Sequence, residues 1–292
     1  MPLENPLISI IIPAYNAVQY IEETINSCLN QTYGNIEIIV QDDQSKDGTW
    51  ELANKLYQHN SKVKLFRNEK NLGIGDNWNA AYDKVTGDYV IIFNADDLIS
   101  PDLVTRFLDR FNADQSLDIV TGKFEVLISE TGETYLYPDH VNLKGGVVQN
   151  VFEKFYFKCA FHWNYSLIKR PLLEKVKLSN RKLFLNTQIC DAELWYRCYL
   201  ANAKIYFDDT KIWGFYRKHA TNNSSNPNGE LKSFLKDFLN NHHKSYSKLG
   251  GFSYTKILFR NFITFCNVFK KGRKFEFEVF MLYIKRIAQS VI

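Results

Sequence analysis

Four short segments bring together residue types that can do chemistry. Asn94-Ala95-Asp96-Asp97 directly follows the apolar run from Tyr89 to Phe93. Alternate carboxylates at a strand end can aim oxygens at one hard cation, Mg2+ or Mn2+, whose shell is normally completed by phosphate oxygens and water. The same residues can equally start a turn and cap the helix after Pro101. Asp42-Asp43-Gln44-Ser45-Lys46-Asp47-Gly48-Thr49 follows a second apolar run. A carboxylate there can accept from a base N–H or a ribose hydroxyl, and Asp47 can cap the next helix. Cys190 to Arg197 opens a helix with Leu194 and Cys198 on one face. Asp191, in its first turn, is either a general base for a hydroxyl nucleophile or a complement to the helix dipole. Tyr216-Arg217-Lys218-His219 places one imidazole beside two cations. Such a group can ligate and neutralise a diphosphate, or lie in a surface loop.

These segments must be positioned by the elements before them. Leu7 to Ile12, Ile36 to Val40, Val63 to Phe66 and Tyr89 to Phe93 are short apolar runs ended by Pro or polar residues. Runs apolar on both faces fit strands buried in a parallel sheet. Helical patterns lie between them: Ile21, Ile25, Cys28 and Leu29 share a face, as do Trp50, Ala53, Leu56 and Tyr57, and Trp78, Ala81, Tyr82 and Val85. Asp76 is expected to cap the third helix, and Ser100-Pro101 to cap and open the helix of Leu103, Phe107 and Phe111. This alternation predicts an α/β fold with a doubly wound, mostly parallel, Rossmann-like sheet. Ligands bind such sheets at the carboxyl ends of the strands, where Tyr15, Asn16, Asp42, Asp43, Asn94, Asp96 and Asp97 fall. The aromatic-rich stretch from 120 to 225 is expected to complete the sheet and shape a second pocket. Gly73-Ile74-Gly75 lacks the third glycine of a dinucleotide fingerprint, and no P-loop, H-E-x-x-H or G-x-S-x-G pattern occurs.

The chain has 292 residues, 45% hydrophobic and 23% charged. That is ordinary globular composition, which excludes a collagen-like or disordered chain. No apolar run approaches the roughly 18 residues of a membrane span. The first residues lack a basic n-region and a cleavage site, and five widely spaced cysteines fit free thiols in the cytoplasm. Nucleic acid is not among the expected partners. Charge is uneven: residues 226–292 carry 12 Lys/Arg against 4 Asp/Glu, although the whole chain is only +4. The stretch from Asn222 to Gly229 reads as a linker, separating a domain over 1–225 from a basic, aromatic-rich helical tail over 226–292. In Tyr254 to Phe269 a polar face with Lys256 and Arg260 opposes Leu258, Phe262 and Phe265, and Lys270-Lys271-Gly272-Arg273-Lys274 follows. This pattern fits an interfacial helix on an anionic membrane surface, the inner face of the cell membrane. It also fits packing on the body or on a second copy in a homo-oligomer.

Taken in order, Ser9 to Asn16, Gln31-Thr32-Tyr33, Asp42 to Thr49, Asn71-Leu72-Gly73 and Gly87-Asp88-Tyr89 running to Asp97 resemble family 2 inverting glycosyltransferases of the GT-A fold. The segment Asp191 to Arg197 is similar to that family's E-D-x-x-L-x-x-R element, and Tyr216 to His219 to its Y-R-x-H element. The resemblance implies that Asp43 binds a nucleotide base against a wall of Pro13, Ala14 and Tyr15. It makes Asp96 the main carboxylate for a divalent cation, with Asp97 beside it and His219 helping to hold metal or diphosphate. Asn94 and Arg217 would meet the donor, and Asp191 would be the catalytic base. The implied reaction moves a sugar from a nucleotide-diphospho-sugar to a hydroxyl of a glycan or lipid-linked glycan, in bacterial surface polysaccharide synthesis. UDP-hexose or UDP-N-acetylhexosamine is the expected donor, with a dTDP-deoxysugar such as rhamnose as the alternative. Three positions depart from the family: Asn94 replaces the first Asp of D-x-D, Cys190 a glutamate, and Trp78 a basic residue. Asn94 and Cys190 keep open a relative that binds donor without turnover. A nucleotidyltransferase would need a basic, glycine-rich loop where Pro13-Ala14-Tyr15-Asn16 stands.

Overall fold

Isoleucine and valine dominate the first strands because β-branched side chains pack well on a pleated surface covered on both sides. In the computed structural model β1 is Ile8–Ala14, β2 Ile36–Asp42, β3 Val63–Arg67 and β4 Tyr89–Ile92. Residues 4–137, 143–149, 162–186 and 190–222 are described, all within one unit of the chain. The tail over 226–292, most of the linker, Cys159 and Cys266 lie outside them. Four helices follow the strands: α1 (Ile21–Leu29), α2 (Thr49–Tyr57), α3 (Ile74–Tyr82) and α4 (Leu103–Ala113). Later elements are β5 (Leu98–Ile99), β6 (Ile119–Gly122), β7 (Glu125–Ile128), β8 (Thr134–Leu136), β9 (Gly146–Val147) and β10 (Ser166–Lys169). They end with α5 (Arg170–Lys175), α6 (Cys190–Leu200), β11 (Ile205–Asp208) and β12 (Gly214–Lys218).

The main sheet runs β3-β2-β1-β4-β10-β6-β11-β9, and a smaller one runs β5-β12-β7-β8. Strands β3, β2, β1 and β4 are mutually parallel, β10 is antiparallel to both β4 and β6, and β11 is parallel to β6. The α/β reading with a mostly parallel sheet therefore holds. Side chains alternate across the sheet as the pleat requires. Ile10, Ile12, Ile38, Val40 and Ile91 join one core with α1 and α4. Ile11, Ile39, Val90 and Ile92 join the other with Trp78, Leu173, Leu194 and Trp195.

Several boundaries differ from the sequence expectation. Strand β1 continues through Pro13 to Ala14. Phe93 N–H donates to Ile11 O and Asp43 N–H to Ala14 O, so Pro13 faces the β4 side, where pairing has already stopped at Ile11↔Ile92. Its missing N–H is not needed there. The N-cap of α2 is Gly48, at φ +97°, rather than Asp47, whose carboxylate, one residue earlier, accepts from Thr49 N–H at 3.0 Å. Asp76 lies inside α3 rather than before it, because Gly73, at φ +84°, starts that helix earlier. The N-cap of α4 is Asp102, not Ser100. Leu56 is 42% exposed and leaves the buried face of α2 to Thr49, Ala53 and Tyr57. Among the described residues no helix is long and apolar enough to cross a membrane.

Glu37 is a charged group buried within the sheet. It is 5% exposed on β2 and accepts from Ser9 Oγ, Lys64 Nζ (2.6 Å), Thr86 N–H (2.9 Å) and Thr86 Oγ1 (2.8 Å). Burial raises its pKa, but the donors from Lys64, Ser9 and Thr86 outweigh burial and leave it below the ordinary value. A depressed folded-state pKa adds stability above the unfolded pKa of about 4.3, lost as pH falls through the folded value. Glu37→Ala is therefore expected to lower urea-unfolding stability at pH 7 by about 2–4 kcal/mol. The deficit should shrink in unfolding curves taken below about pH 4, as the wild-type carboxylate is protonated.

Candidate active site

Strands β1, β2 and β4 end side by side, with Ala14 paired to Asp42. The segments that leave them meet at one end of the sheet. Asn16 takes φ +52°, a conformation asparagine tolerates better than most residues. Its N–H donates to Ser45 Oγ (2.9 Å), and its Oδ1 accepts from Lys46 N–H (3.0 Å). Ala17 and Val18 N–H donate to Thr49 and Asp47. The first two strand-end loops are thus stitched together. Pro13 and Ala14 are buried beneath them, while Tyr15 is 49% exposed at the mouth.

Asp42 and Asp43 are both buried. Asp42 pairs with Arg67 Nε at 3.1 Å and accepts from Ser45 N–H. Asp43 accepts from Asn68 Nδ2 (2.7 Å), Leu72 N–H (2.8 Å) and Gly73 N–H (3.0 Å). Three of its roughly four acceptor positions are filled by the loop that opens α3. Asn68 continues the network to Gln41 and Asn77, and Asn77 Nδ2 reaches Gln41 O at 3.2 Å. Neither Asn68 nor Asn77 stood out in the sequence.

The turn after β4 separates its two carboxylates sharply. Asp97 is fully buried. Its Oδ1 accepts from Arg217 N–H at 2.7 Å, and its Oδ2 from Asn94 Nδ2 (3.2 Å) and Asn164 Nδ2. Burial, and then the charge of Asp96, push its carboxyl well above the usual range. Asp96 is the half-exposed member, with 24% of its side chain accessible. Its Oδ2 meets His219 Nε2 at 3.0 Å and accepts from Asn222 Nδ2 at 3.1 Å. His219 stacks on Tyr20, ring centroids 4.6 Å apart, and its Nδ1 lies 2.9 Å from Thr221 Oγ1. Asn222, read as the first linker residue, is instead a buried part of this cluster.

Arg217, expected at the donor, braces the turn. Its Nε donates to Asp96 O (2.8 Å), its Nη2 reaches Glu23, and its guanidinium lies over the Tyr20 ring. Among the described residues no three His, Cys, Asp or Glu side chains converge on one point. The cluster therefore offers one carboxylate and one imidazole. That donor set fits a divalent cation that takes its remaining ligands from a diphosphate and water.

Asp191 lies in the first turn of α6. The stretch 182–186, earlier in the chain, is fastened to α3. Asn79 Oδ1 accepts from Leu183 and Phe184 N–H, both at 2.9 Å, and its Nδ2 donates to Phe184 O at 2.8 Å. Lys182 and Asn186 bind Asp76. Gly75 admits the Leu185 carbonyl where any Cβ would collide with it. Arg197 grips Glu193 through Nε (2.8 Å) and Nη2 (2.7 Å) and donates to Val176 O and Leu183 O. Cys190 is buried, and burial, then Asp191, raises its thiol pKa well above the usual value. Trp78, noted as a departure from the family's basic residue, is 8% exposed and packs edge-on against Phe184 as part of the core.

The mostly parallel sheet, with a half-exposed carboxylate after β4, is similar to the GT-A fold of glycosyltransferases. The chain belongs to glycosyl transferase family 2, whose sequence model matches residues 9–177, and it is an enzyme of the transferase class. It is similar to the glycosyltransferase GlyG of Streptococcus pneumoniae, 26% identical over 222 residues covering 73% of this chain and 72% of that one. It is 40% identical over 126 residues to a chondroitin synthase of Pasteurella multocida, covering 41% of this chain but 13% of that protein. Among solved structures it resembles S. aureus TarS 1-349 in complex with UDP-GlcNAc, with a TM-score of 0.65, 21% identity and coverage of 80% and 67%. It also resembles the mannosyltransferase PcManGT of Pyrobaculum calidifontis with GDP-Man and Mn2+, with a TM-score of 0.56, 16% identity and coverage of 100% and 82%. These two likenesses concern the fold.

Proposed function

We propose that the chain transfers a sugar from a nucleotide-diphospho-sugar to a glycan hydroxyl, inverting the anomeric centre in one displacement. The observation that carries this reading is the half-exposed Asp96 carboxylate, held by His219 and Asn222 at the carboxyl end of β4. The base lies against Pro13, Ala14 and Tyr15, near the last acceptor position of Asp43. Asn94 faces the ribose. Asp96 and His219 hold a divalent cation, which when bound neutralises charge on the diphosphate. Asp97 and Arg217 keep that turn in shape. Asp191 takes the proton of the attacking hydroxyl. The donor is a UDP-hexose or UDP-N-acetylhexosamine, supported by the UDP-GlcNAc bound in a structure of similar fold.

The test is thermal unfolding with UDP-N-acetylglucosamine, UDP-glucose, dTDP-rhamnose and GDP-mannose, each with Mn2+ and with EDTA. A ligand at 100 times its Kd stabilises the native state by about 2.7 kcal/mol. One UDP-sugar is expected to raise Tm with Mn2+, and EDTA to remove most of the rise. A Tm that no nucleotide sugar moves, with or without metal, would end the donor-site reading.

A further inference from the structure

We propose that the buried turn Trp163-Asn164-Tyr165 is a bracket that sets the catalytic base against the donor-binding turn, and that Trp163 and Asn164 are positioning residues for transfer. This rests on the roles given above to Asp96 and Asp191. The two residues are neighbours on one 3-10 turn, 1% and 0% exposed. Each side chain reaches a different half of the site.

Asn164 faces the turn after β4. Its Oδ1 accepts from Asn94 N–H at 3.2 Å, and its Nδ2 donates to Asp97 Oδ2. One bond fixes the backbone at Asn94 and the other the Asp97 carboxylate, on either side of Asp96. Trp163 faces α6. Its Nε1–H donates to the backbone carbonyl of Asp191 at 3.0 Å. Its ring stacks on Trp195, with centroids 3.9 Å apart and planes at 21°. Trp195 is four residues beyond Asp191, hence one turn along the same helix face. A carbonyl in the first turn of a helix uses one lone pair within the helix and has a second free for such a donor. Trp163 therefore holds the first two turns of α6 by two contacts, one polar at Asp191 and one apolar at Trp195.

One peptide link joins these two sets of contacts. The turn itself is planted in the main sheet. Strand β10 follows it directly and pairs with both β4 and β6. Ser166 Oγ bonds Thr121 Oγ1 (2.8 Å) and His162 O (2.7 Å). Close-packed interiors transmit displacement rather than absorb it. A shift of Trp163 must then move Asp191 relative to Asp96, and a misplacement of about 1 Å can cost on the order of 10²-fold in rate.

The test exploits the division between neighbours. Trp163→Phe keeps an aromatic ring for Trp195 and removes the N–H donor together with part of the ring volume. It is expected to lower kcat for UDP release from UDP-N-acetylglucosamine with Mn2+ by about 10- to 100-fold. Calorimetric affinity for UDP with Mn2+ should stay within about two-fold of wild type. Asn164→Ala is expected to do the reverse in binding, weakening Mn2+-dependent UDP affinity by about 10-fold or more. A merely structural role predicts the same signature from both. A double-mutant cycle adds a second readout, since Trp163→Phe should cost no further kcat in an Asp191→Asn background if it acts through that residue. Wild-type kcat in Trp163→Phe, beside an inactive Asp191→Asn, would overturn the bracket alone, as would full additivity of the two. An active Asp191→Asn would instead remove the base assignment, and the bracket with it.

Discussion

Asp191→Asn lowers the turnover of glycosyl transfer by about 10²–10⁴, while affinity for the nucleoside diphosphate with Mn2+ stays within about three-fold, if the proposed base is correct. The substitution is nearly isosteric, and the contact that anchors this position, Trp163 Nε1–H to the Asp191 carbonyl, is made by the backbone. The amide side chain keeps the volume but loses the negative charge and the ability to take a proton. In the proposed site nucleotide affinity depends on other elements, since the proposed pocket wall stands on β1, the Asp43 loop on β2 and Asp96 beyond β4. Transfer and binding should therefore part company. Parallel measurement of kcat and of diphosphate affinity decides the matter, and a variant with wild-type kcat would remove Asp191 from the mechanism.

The strands were legible because their signal is local. A run such as Ile8 to Ile12 is apolar on both faces, and only a sheet covered on both sides can bury it. The polar residues at the ends of those runs were legible for the same reason, since strand ends set the mouth of the sheet. What was not legible depends on closure over long stretches of chain. Asn222 reads as linker in sequence, yet its carboxamide meets an aspartate 126 residues earlier. Asn164 lies in an aromatic stretch with nothing to mark it, yet it is wholly buried against Asp97. An asparagine that satisfies a buried carboxylate looks the same in sequence as one that makes a turn. The two acidic neighbours Asp96 and Asp97 likewise look interchangeable until burial separates them. Arg217 looked available to a diphosphate because the pattern does not reveal Glu23, which meets it from the far side of the chain.

That separation drives the second large effect. Asp96→Ala is expected to abolish most of the Mn2+-dependent gain in nucleoside diphosphate affinity, at least about 10²-fold, since even partners that only orient a ligating side chain are worth 10–100-fold in metal affinity. Asp97 cannot take over. It is fully buried, and both of its oxygens already accept from Arg217 N–H, Asn94 and Asn164. Turning it outward would leave those donors unpaired in the interior, at about 1–3 kcal/mol for each. His219 would remain, but a single imidazole without a carboxylate is a poor site for a cation that prefers oxygen ligands. The fold should survive, because Asp96 is partly exposed and its backbone oxygen still accepts from Arg217 Nε. Asp96→Asn separates charge from shape: its carbonyl oxygen can still accept from Asn222, yet it brings no negative charge to the cation. Calorimetry of UDP with Mn2+ and with EDTA should find both variants near the affinity that wild type shows in EDTA. If Asp96→Ala instead kept the full gain from Mn2+, the cation would be held by other residues and Asp96 would serve only to orient His219.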